Sequence, residues 1–325
     1  MAMKRLVSGM RTTGSLHLGH LEGTLKNWVK LQDKYECYFF AAVWHAFTDK
    51  FMENIPVLVK DMVTDWLSVG IDPKKAVIFR QSSMFEHAEL STILSNFTPL
   101  GWLERCPTFK DAVRDEDMRS GVSAGKLMYP VLMTSDIAVY NAEVVPVGKD
   151  QLPHLELSRE IIRRFNSYCG QILKEPEASL SEVPLLLGID NRKMSKSYNN
   201  SIELRETADN LKAKIQQMIT DPQRVRRNDP GNPEVCTVFS YHKVYSPEKL
   251  EEICEGCKTA KIGCRDCKNM LFEKINNMLE PIRVKRAEIE ANKGYAEDVI
   301  VSGEKIAHKV AGETMHEIRK AMGFI

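Results

Sequence analysis

Two groups of residues in this chain of 325 residues have the types and spacing to act on a phosphorylated ligand. The first is Ser8-Gly9-Met10-Arg11-Thr12-Thr13-Gly14-Ser15-Leu16-His17-Leu18-Gly19-His20, which runs from a short apolar segment into an amphipathic one. Gly9 and Gly14 permit an unusual backbone path, and Gly19 lets a ligand approach with no side chain in the way. His17 and His20 share one face of a first helical turn. The unpaired N–H groups and partial positive charge of that turn suit an anion. The second group is Lys193-Met194-Ser195-Lys196-Ser197, inside the polar stretch 190–200. Two ammonium groups three residues apart, with hydroxyls between, can follow charge that develops on a departing polyphosphate. A loop can also close over a reaction and reopen. Taken singly, these are equally a capped helix with surface histidines and an exposed basic loop; the ordered pair, about 170 residues apart, is far more specific.

A third group comprises Cys236, Cys254, Cys257, Cys264 and Cys267, five cysteines within 32 positions. Such clustering points to a metal site rather than to disulfides. Cys254-x2-Cys257 with Cys264-x2-Cys267 reads as a four-thiolate zinc site, and Cys236 is a fifth candidate.

The elements that must position these groups follow from periodicity. Short β-branched or aromatic runs at 5–7, 37–43, 77–79 and 144–147 alternate with stretches of helical spacing, such as Leu18, Leu21, Leu25 and Trp28. That alternation predicts parallel βαβ units and a doubly wound α/β domain. In such a domain, ligands bind beyond the C-terminal strand ends, where strand order reverses. After residue 200 the strand signals vanish, and 211–219, 268–279, 282–291 and 304–322 read as helices. The expected division is therefore 1–200 and a smaller, all-helical 201–325.

Composition bounds the class. Apolar residues make up 43% and charged residues 27%, ordinary for a globular chain with a substantial core. With 45 Lys plus Arg against 44 Asp plus Glu, global charge says nothing about nucleic acid. Local charge says more: residues 258–293 carry nine Lys/Arg and five Asp/Glu, and Arg224, Arg226 and Arg227 form a second basic run. These suit nucleic-acid phosphates or a base, or simply a solvated face. No stretch approaches the roughly 18 apolar residues of a membrane span, and the start lacks a secretory apolar block. A soluble, cytoplasmic protein with no membrane partner is expected.

The sequence resembles the class I aminoacyl-tRNA synthetases, with His17-Leu18-Gly19-His20 as their HxGH element and 193–197 as their KMSKS loop. Three further segments narrow the resemblance to the tryptophanyl-tRNA synthetases. They are Tyr129-Pro130-Val131-Leu132-Met133-Thr134-Ser135-Asp136-Ile137, Val145-Pro146-Val147-Gly148-Lys149-Asp150-Gln151 and Trp44-His45-Ala46. The resemblance implies a Rossmann-like catalytic domain over 1–200, ending in the KMSKS loop, and an anticodon-binding helical domain over 201–325. It implies ATP and Mg2+ as cofactors, L-tryptophan and tRNA(Trp) as partners, and a homodimer.

It also implies residue roles. Asp136 would accept the indole N–H, beside Met133, Val7 and His45, and a buried carboxylate left unpaired would disfavour phenylalanine. Tyr129 and Gln151 would hold the α-amino group. Gly148, Lys149 and Asp150 would meet the ATP ribose region, while Arg11, Thr12, Thr13, Gly19 and His20 would surround its phosphates and adenine. His17 and His20 would act at the α-phosphate, and Lys193, Met194, Ser195, Lys196 and Ser197 at the leaving pyrophosphate. Thr12 stands where relatives carry proline, Val43 where close relatives carry an acid, and Lys110 or Arg114 matches loosely a cation supplied to the triphosphate.

A subset of this family holds a [4Fe–4S] cluster with C-x22-C-x6-C-x2-C spacing. Cys236-x20-Cys257-x6-Cys264-x2-Cys267 is similar, two residues shorter in the first gap, with Cys254 spare. The cluster is the first expectation and zinc the second. A tyrosyl enzyme of the same fold, a nucleotidyltransferase sharing the HxGH element, and a non-catalytic RNA-binding or redox-sensing paralogue are the competing readings.

Overall fold

The computed structural model describes residues 3–48, 51, 53–115, 121–180, 186–192, 194 and 198–325. Of the expected site, Lys193, Ser195, Lys196 and Ser197 lie outside these residues. The chain forms two compact units: Met1–Gly14, Trp28–Glu182 and Lys293–Ile325 make one, and Ser15–Asn27 with Val183–Asn292 makes the other.

The first unit is built on five parallel strands, β1 (Arg5–Met10), β2 (Glu36–Ala41), β3 (Ala76–Arg80), β4 (Val144–Val147) and β5 (Glu177–Leu180), in the order β3-β2-β1-β4-β5. In register, Val7 lies opposite Tyr38 and Phe40 opposite Phe79 on one face, and Leu6 opposite Cys37 and Phe39 opposite Ile78 on the other, so inner strands carry apolar side chains on both faces, as a sheet covered by helices requires. β1 to β4 stand where β-branched and aromatic runs predict them. β5, Glu-Ala-Ser-Leu, does not announce itself: it is an exposed edge strand and needs no apolar alternation.

In chain order the helices are α1 (Leu18–His20) and α2 (Lys26–Leu31), joined by a π-type turn over Leu21–Leu25, then α3 (Val43–Phe47), α4 (Ile55–Val69) and α5 (Phe85–Ser95). There follow α6 (Leu100–Glu104), α7 (Pro107–Asp115), α8 (Ala124–Ala138) and α9 (Leu152–Cys169). The remainder are α10 (Ala208–Gln217), α11 (Thr237–Tyr245), α12 (Leu250–Lys258), α13 (Cys264–Ala291) and α14 (Tyr295–Ala321). Trp28 stacks on Phe39 at 4.2 Å and meets Trp66 edge-on, which seats α2 and α4 on β2.

The last helix, α14, belongs to the sheet unit and packs on β3. Arg80 grips Glu304 through Nε–Oε1 at 2.6 Å and Nη2–Oε2 at 3.3 Å. A Cβ on Gly303 would fall 1.9 Å from the Ile78 carbonyl oxygen, so helix and strand backbones touch there. Gly303→Ala therefore forces α14 off the sheet and should cost about 3 kcal/mol or more, at the upper end for overpacking. Urea denaturation checks this; a loss below about 1 kcal/mol would mean the contact relaxes freely.

The second unit is helical. Leu211 and Ile215 of α10, Val238 and Tyr241 of α11, Ile253 of α12, and Leu271, Ile275 and Leu279 of α13 make its core. α13 is a single helix of 28 residues where the sequence suggests two, at 268–279 and 282–291. Pro281 lies inside it. A proline removes one donor and costs about 3 kcal/mol in a helix interior, but buried Leu271, Ile275 and Leu279 before it and Arg286 and Ile289 after it hold one continuous face.

Candidate active site

In the sheet unit, strand order reverses between β1 and β4: β2 and β3 lie to one side, β5 to the other. Segments leaving the C-terminal ends of those two strands flank the crevice where such sheets bind ligands. From β1 come Arg11, Thr12 and Thr13, with the Thr13 N–H donating to Arg11 O at 2.9 Å. Thr12 is 1% exposed, and its Oγ1 is buried with no hydrogen-bond partner among the described residues. From β4 come Gly148 and the tight turn Lys149–Gln151. The Gln151 amide donates to Asp150 Oδ2 at 2.9 Å, and a Cβ on Gly148 would lie 2.6 Å from Asp150 Oδ1, so the glycine lets that carboxylate fold back.

α8 supplies the second cluster. Ser123 caps it by accepting the Lys126 N–H at 3.2 Å, and Tyr129, Met133 and Asp136 fall at i, i+4 and i+7 on one face. Tyr129 meets His45 edge-on at 4.7 Å. Val7 is buried in the core cluster against which Met133 packs. Asp136 is 2% exposed and ringed by donors. Gln81 Nε2 (2.8 Å) and His87 Nδ1 (2.6 Å) meet its Oδ1, and His45 Nε2 (2.7 Å) meets its Oδ2. Burial pushes its carboxyl pKa up, but the field and hydrogen bond of His45, together with His87, more than offset that, leaving it below the ordinary carboxylate value. The buried carboxylate is thus held ionised by the donors that ring it.

Gln81, His87 and Tyr140 were not among the sequence candidates, yet they complete this cluster. Gln81 Oε1 accepts the Trp44 N–H at 2.9 Å, and Tyr140 Oη lies 2.7 Å from His87 Nε2. Gln81 follows the C-terminal end of β3, a position whose side chains face ligands in this class of sheet, and that was the available signal.

In the helical unit, His17 pairs with Glu203 as an antiparallel bridge, with Leu18 N donating to Ile202 O at 2.9 Å and Leu204 N to Leu16 O at 3.0 Å. The segment after the KMSKS loop is therefore stitched to the HxGH element. Met194 Sδ comes within 3.7 Å of where a Cβ on Gly19 would stand. The two imidazoles lie 3.9 Å apart. His17 Nδ1 accepts the Gly19 N–H at 3.1 Å, and His20 Nδ1 accepts the His17 N–H at 3.2 Å. The turn's own amides are thus partly spent on the histidines, which fixes each neutral ring's proton on Nε2. The turn therefore carries imidazole N–H donors beside its backbone ones.

The same unit brings Cys236, Cys257, Cys264 and Cys267 around one apolar pocket, with Val238, Phe239 and Ile262; Cys254 does not line it. Arg224 is drawn into the pocket wall: Nη1 stands 3.8 Å from Cys257 Sγ, and Nη2 donates to the carbonyls of Arg227 and Ile262 at 2.9 Å. This guanidinium is committed inside the protein, whereas Arg227 only pairs loosely with Asp266 at 3.5 Å. Among the described residues, no three His, Cys, Asp or Glu side chains are arranged to hold a single metal ion.

Comparison with known proteins agrees with this geometry. Residues 3–280 match the family described as tRNA synthetases class I (W and Y). The chain is 48% identical to the tryptophan–tRNA ligase of Thermotoga maritima and 40% identical to that of Deinococcus radiodurans, with 99% of each chain covered in both cases. A crystal structure of tryptophanyl-tRNA synthetase from Campylobacter jejuni, complexed with ADP and tryptophan, superposes with a TM-score of 0.85 at 34% identity, covering 98% of this chain and 99% of that one. Tyrosyl-tRNA synthetase from Archaeoglobus fulgidus shares the fold, with a TM-score of 0.67 at 19% identity over 87% of this chain. Among the described residues, no helix is long and apolar enough to cross a membrane. The chain belongs to the class I tRNA synthetases of the tryptophan and tyrosine group and, within that group, to the tryptophan–tRNA ligases.

Proposed function

We propose that this protein attaches L-tryptophan to tRNA(Trp) at the expense of ATP. The end-to-end similarity to tryptophan–tRNA ligases carries this reading, and the site geometry supplies its chemistry. The tryptophan carboxylate attacks the α-phosphorus of ATP, releasing pyrophosphate and forming tryptophanyl-adenylate. The terminal adenosine hydroxyl of the tRNA then attacks the activated carbonyl, releasing AMP. No side chain need act as nucleophile; positioning and charge neutralisation carry the rate, the latter shared with Mg2+ on the triphosphate.

In the sheet unit, Asp136 accepts the indole N–H beside Met133, Val7 and His45, while Tyr129 and Gln151 hold the α-amino group. Gly148, Lys149 and Asp150 take the ribose, and Arg11, Thr12 and Thr13 the neighbouring nucleotide groups. In the helical unit, Gly19 gives close backbone approach, and His17 and His20 donate to the α-phosphate region. Lys193 and Lys196, with Met194, Ser195 and Ser197, neutralise departing pyrophosphate. The helical unit also meets the tRNA anticodon region through exposed basic residues such as Arg226 and Arg227, and the protein works as a homodimer. Charging of a tRNA(Trp) transcript with labelled tryptophan tests the assignment: charging that needs ATP supports it, and its absence with folded protein contradicts it.

The four pocket cysteines would hold a [4Fe–4S] cluster. The four thiols line one apolar pocket, and four-cysteine ligation of such a cluster is chemically ordinary; zinc is the alternative. When bound, the cluster supplies a cross-link between α11, α12 and α13 and a redox-active charge. Anaerobically purified protein should show visible absorption and about four iron and four sulfide per chain; zinc without iron would contradict this.

A further inference from the structure

The donor arrangement around Asp136 has a specificity consequence. An ionised carboxylate offers roughly four lone-pair sites. Gln81 Nε2 and His87 Nδ1 fill both sites on Oδ1, and His45 Nε2 fills one on Oδ2. One site remains, on Oδ2. Gln81 cannot turn its amide around, because its Oε1 accepts the Trp44 N–H at 2.9 Å. His87 must present Nδ1–H to the carboxylate, which can only accept, and its Nε2 is engaged by the hydroxyl of Tyr140 at 2.7 Å. His45, 5% exposed, gives its Nε2–H to the carboxylate, and its Nδ1 is buried with no hydrogen-bond partner among the described residues. In that tautomer Nδ1 is also an acceptor.

We propose that Gln81 and His87 are positioning residues which make the Asp136 end of the amino-acid site acceptor-only, and that this selects an amino acid whose ring carries a donor and no acceptor. The proposal rests on Asp136 being the acceptor for the substrate ring. An indole N–H is a donor alone, whereas a phenol hydroxyl both donates and accepts. Tyrosine can give its hydrogen to Oδ2, but its oxygen lone pairs then compete for donors already aimed at the carboxylate: the His45 Nε2–H, the His87 Nδ1–H and the Gln81 N–H that meets Oδ1. A buried acceptor without a partner is costly. Rejection of tyrosine thus follows from how donors are spent, beyond ring shape.

The test compares kcat/KM in amino-acid-dependent ATP–pyrophosphate exchange for tryptophan, tyrosine and β-(benzo[b]thien-3-yl)alanine, in which sulfur replaces the indole N–H. The wild-type enzyme should prefer tryptophan over the thienyl analogue by about tenfold or more. His87→Leu removes the donor at similar bulk and should lower that ratio, and the ratio over tyrosine, by about tenfold. His87→Asn returns an N–H near the Nδ1 position and should recover most of both. These ratios are insensitive to the fraction of protein folded. If His87→Leu does not fold, Gln81→Met removes the other Oδ1 donor and should produce the same fall. A wild-type enzyme indifferent to the thienyl analogue would overturn the role of Asp136 itself. Intact wild-type discrimination with unchanged ratios in His87→Leu or Gln81→Met, or equal losses in His87→Leu and His87→Asn, would overturn the positioning role alone.

Discussion

Asp136→Asn should lower kcat/KM for tryptophan by about 10³-fold, chiefly through KM. A hydrogen bond to a charged acceptor contributes about 1.5–3 kcal/mol, and the amide adds an unpaired donor facing three others. Its NH2 must point at His45 Nε2–H or at the Gln81 and His87 donors, since the carboxylate now bonds all three. Stability should fall as well, by about 3–5 kcal/mol, because a buried set loses its charged partner. The sign of the pH dependence follows from the lowered pKa of Asp136. A depressed carboxyl stabilises the fold above its unfolded pKa, and that contribution is lost as pH falls through the folded value. Near neutrality the group is ionised, so tryptophan KM should show no acidic limb from this residue above roughly pH 5. Exchange kinetics and urea denaturation check both effects. A change in kcat/KM below about tenfold would reduce Asp136 to a scaffold.

Lys196→Ala should slow adenylate formation by about 10²–10³-fold, the usual loss when one group aimed at developing charge is removed. Tryptophan affinity should move little, because that cation is assigned to the leaving group and not to the amino acid. A rapid-quench measurement of pyrophosphate release, beside equilibrium tryptophan binding, separates the two. Equal losses in rate and affinity would mean that the loop binds rather than catalyses.

Much of this site was legible in the sequence because its signals are local. Strands β1 to β4 carry β-branched and aromatic runs, and the resemblance to tryptophanyl-tRNA synthetases marks Arg11 to Thr13 and Gly148 to Gln151, which lie at the C-terminal ends of β1 and β4. Tyr129, Met133 and Asp136 are picked out by the resemblance, and their spacing then places them on one helix face. The partners of Asp136 do not, because Gln81 and His87 lie 55 and 49 residues away and meet it only through the fold. The histidines of the HxGH element show a second limit. Spacing predicts one shared face, but not that their Nδ1 atoms cap the turn and spend its amides. Pro281 reads as a break because propensity is local, while the stripe that keeps α13 whole is tertiary. Likewise, the apolar face of α14 says that it is buried and not that β3 covers it. Cysteine spacing alone favours Cys254 over Cys236; the resemblance to the cluster-bearing subset singles out Cys236, Cys257, Cys264 and Cys267, and these four line the pocket.

Amino-acid-dependent ATP–pyrophosphate exchange tests most directly whether this site activates tryptophan on ATP. With purified wild-type protein, ATP and labelled pyrophosphate, exchange should require tryptophan, and tyrosine should support it at an efficiency lower by about 10³-fold or more. Exchange that tyrosine drives as well as tryptophan, or that tryptophan does not stimulate at all, would contradict selective tryptophan activation by this enzyme.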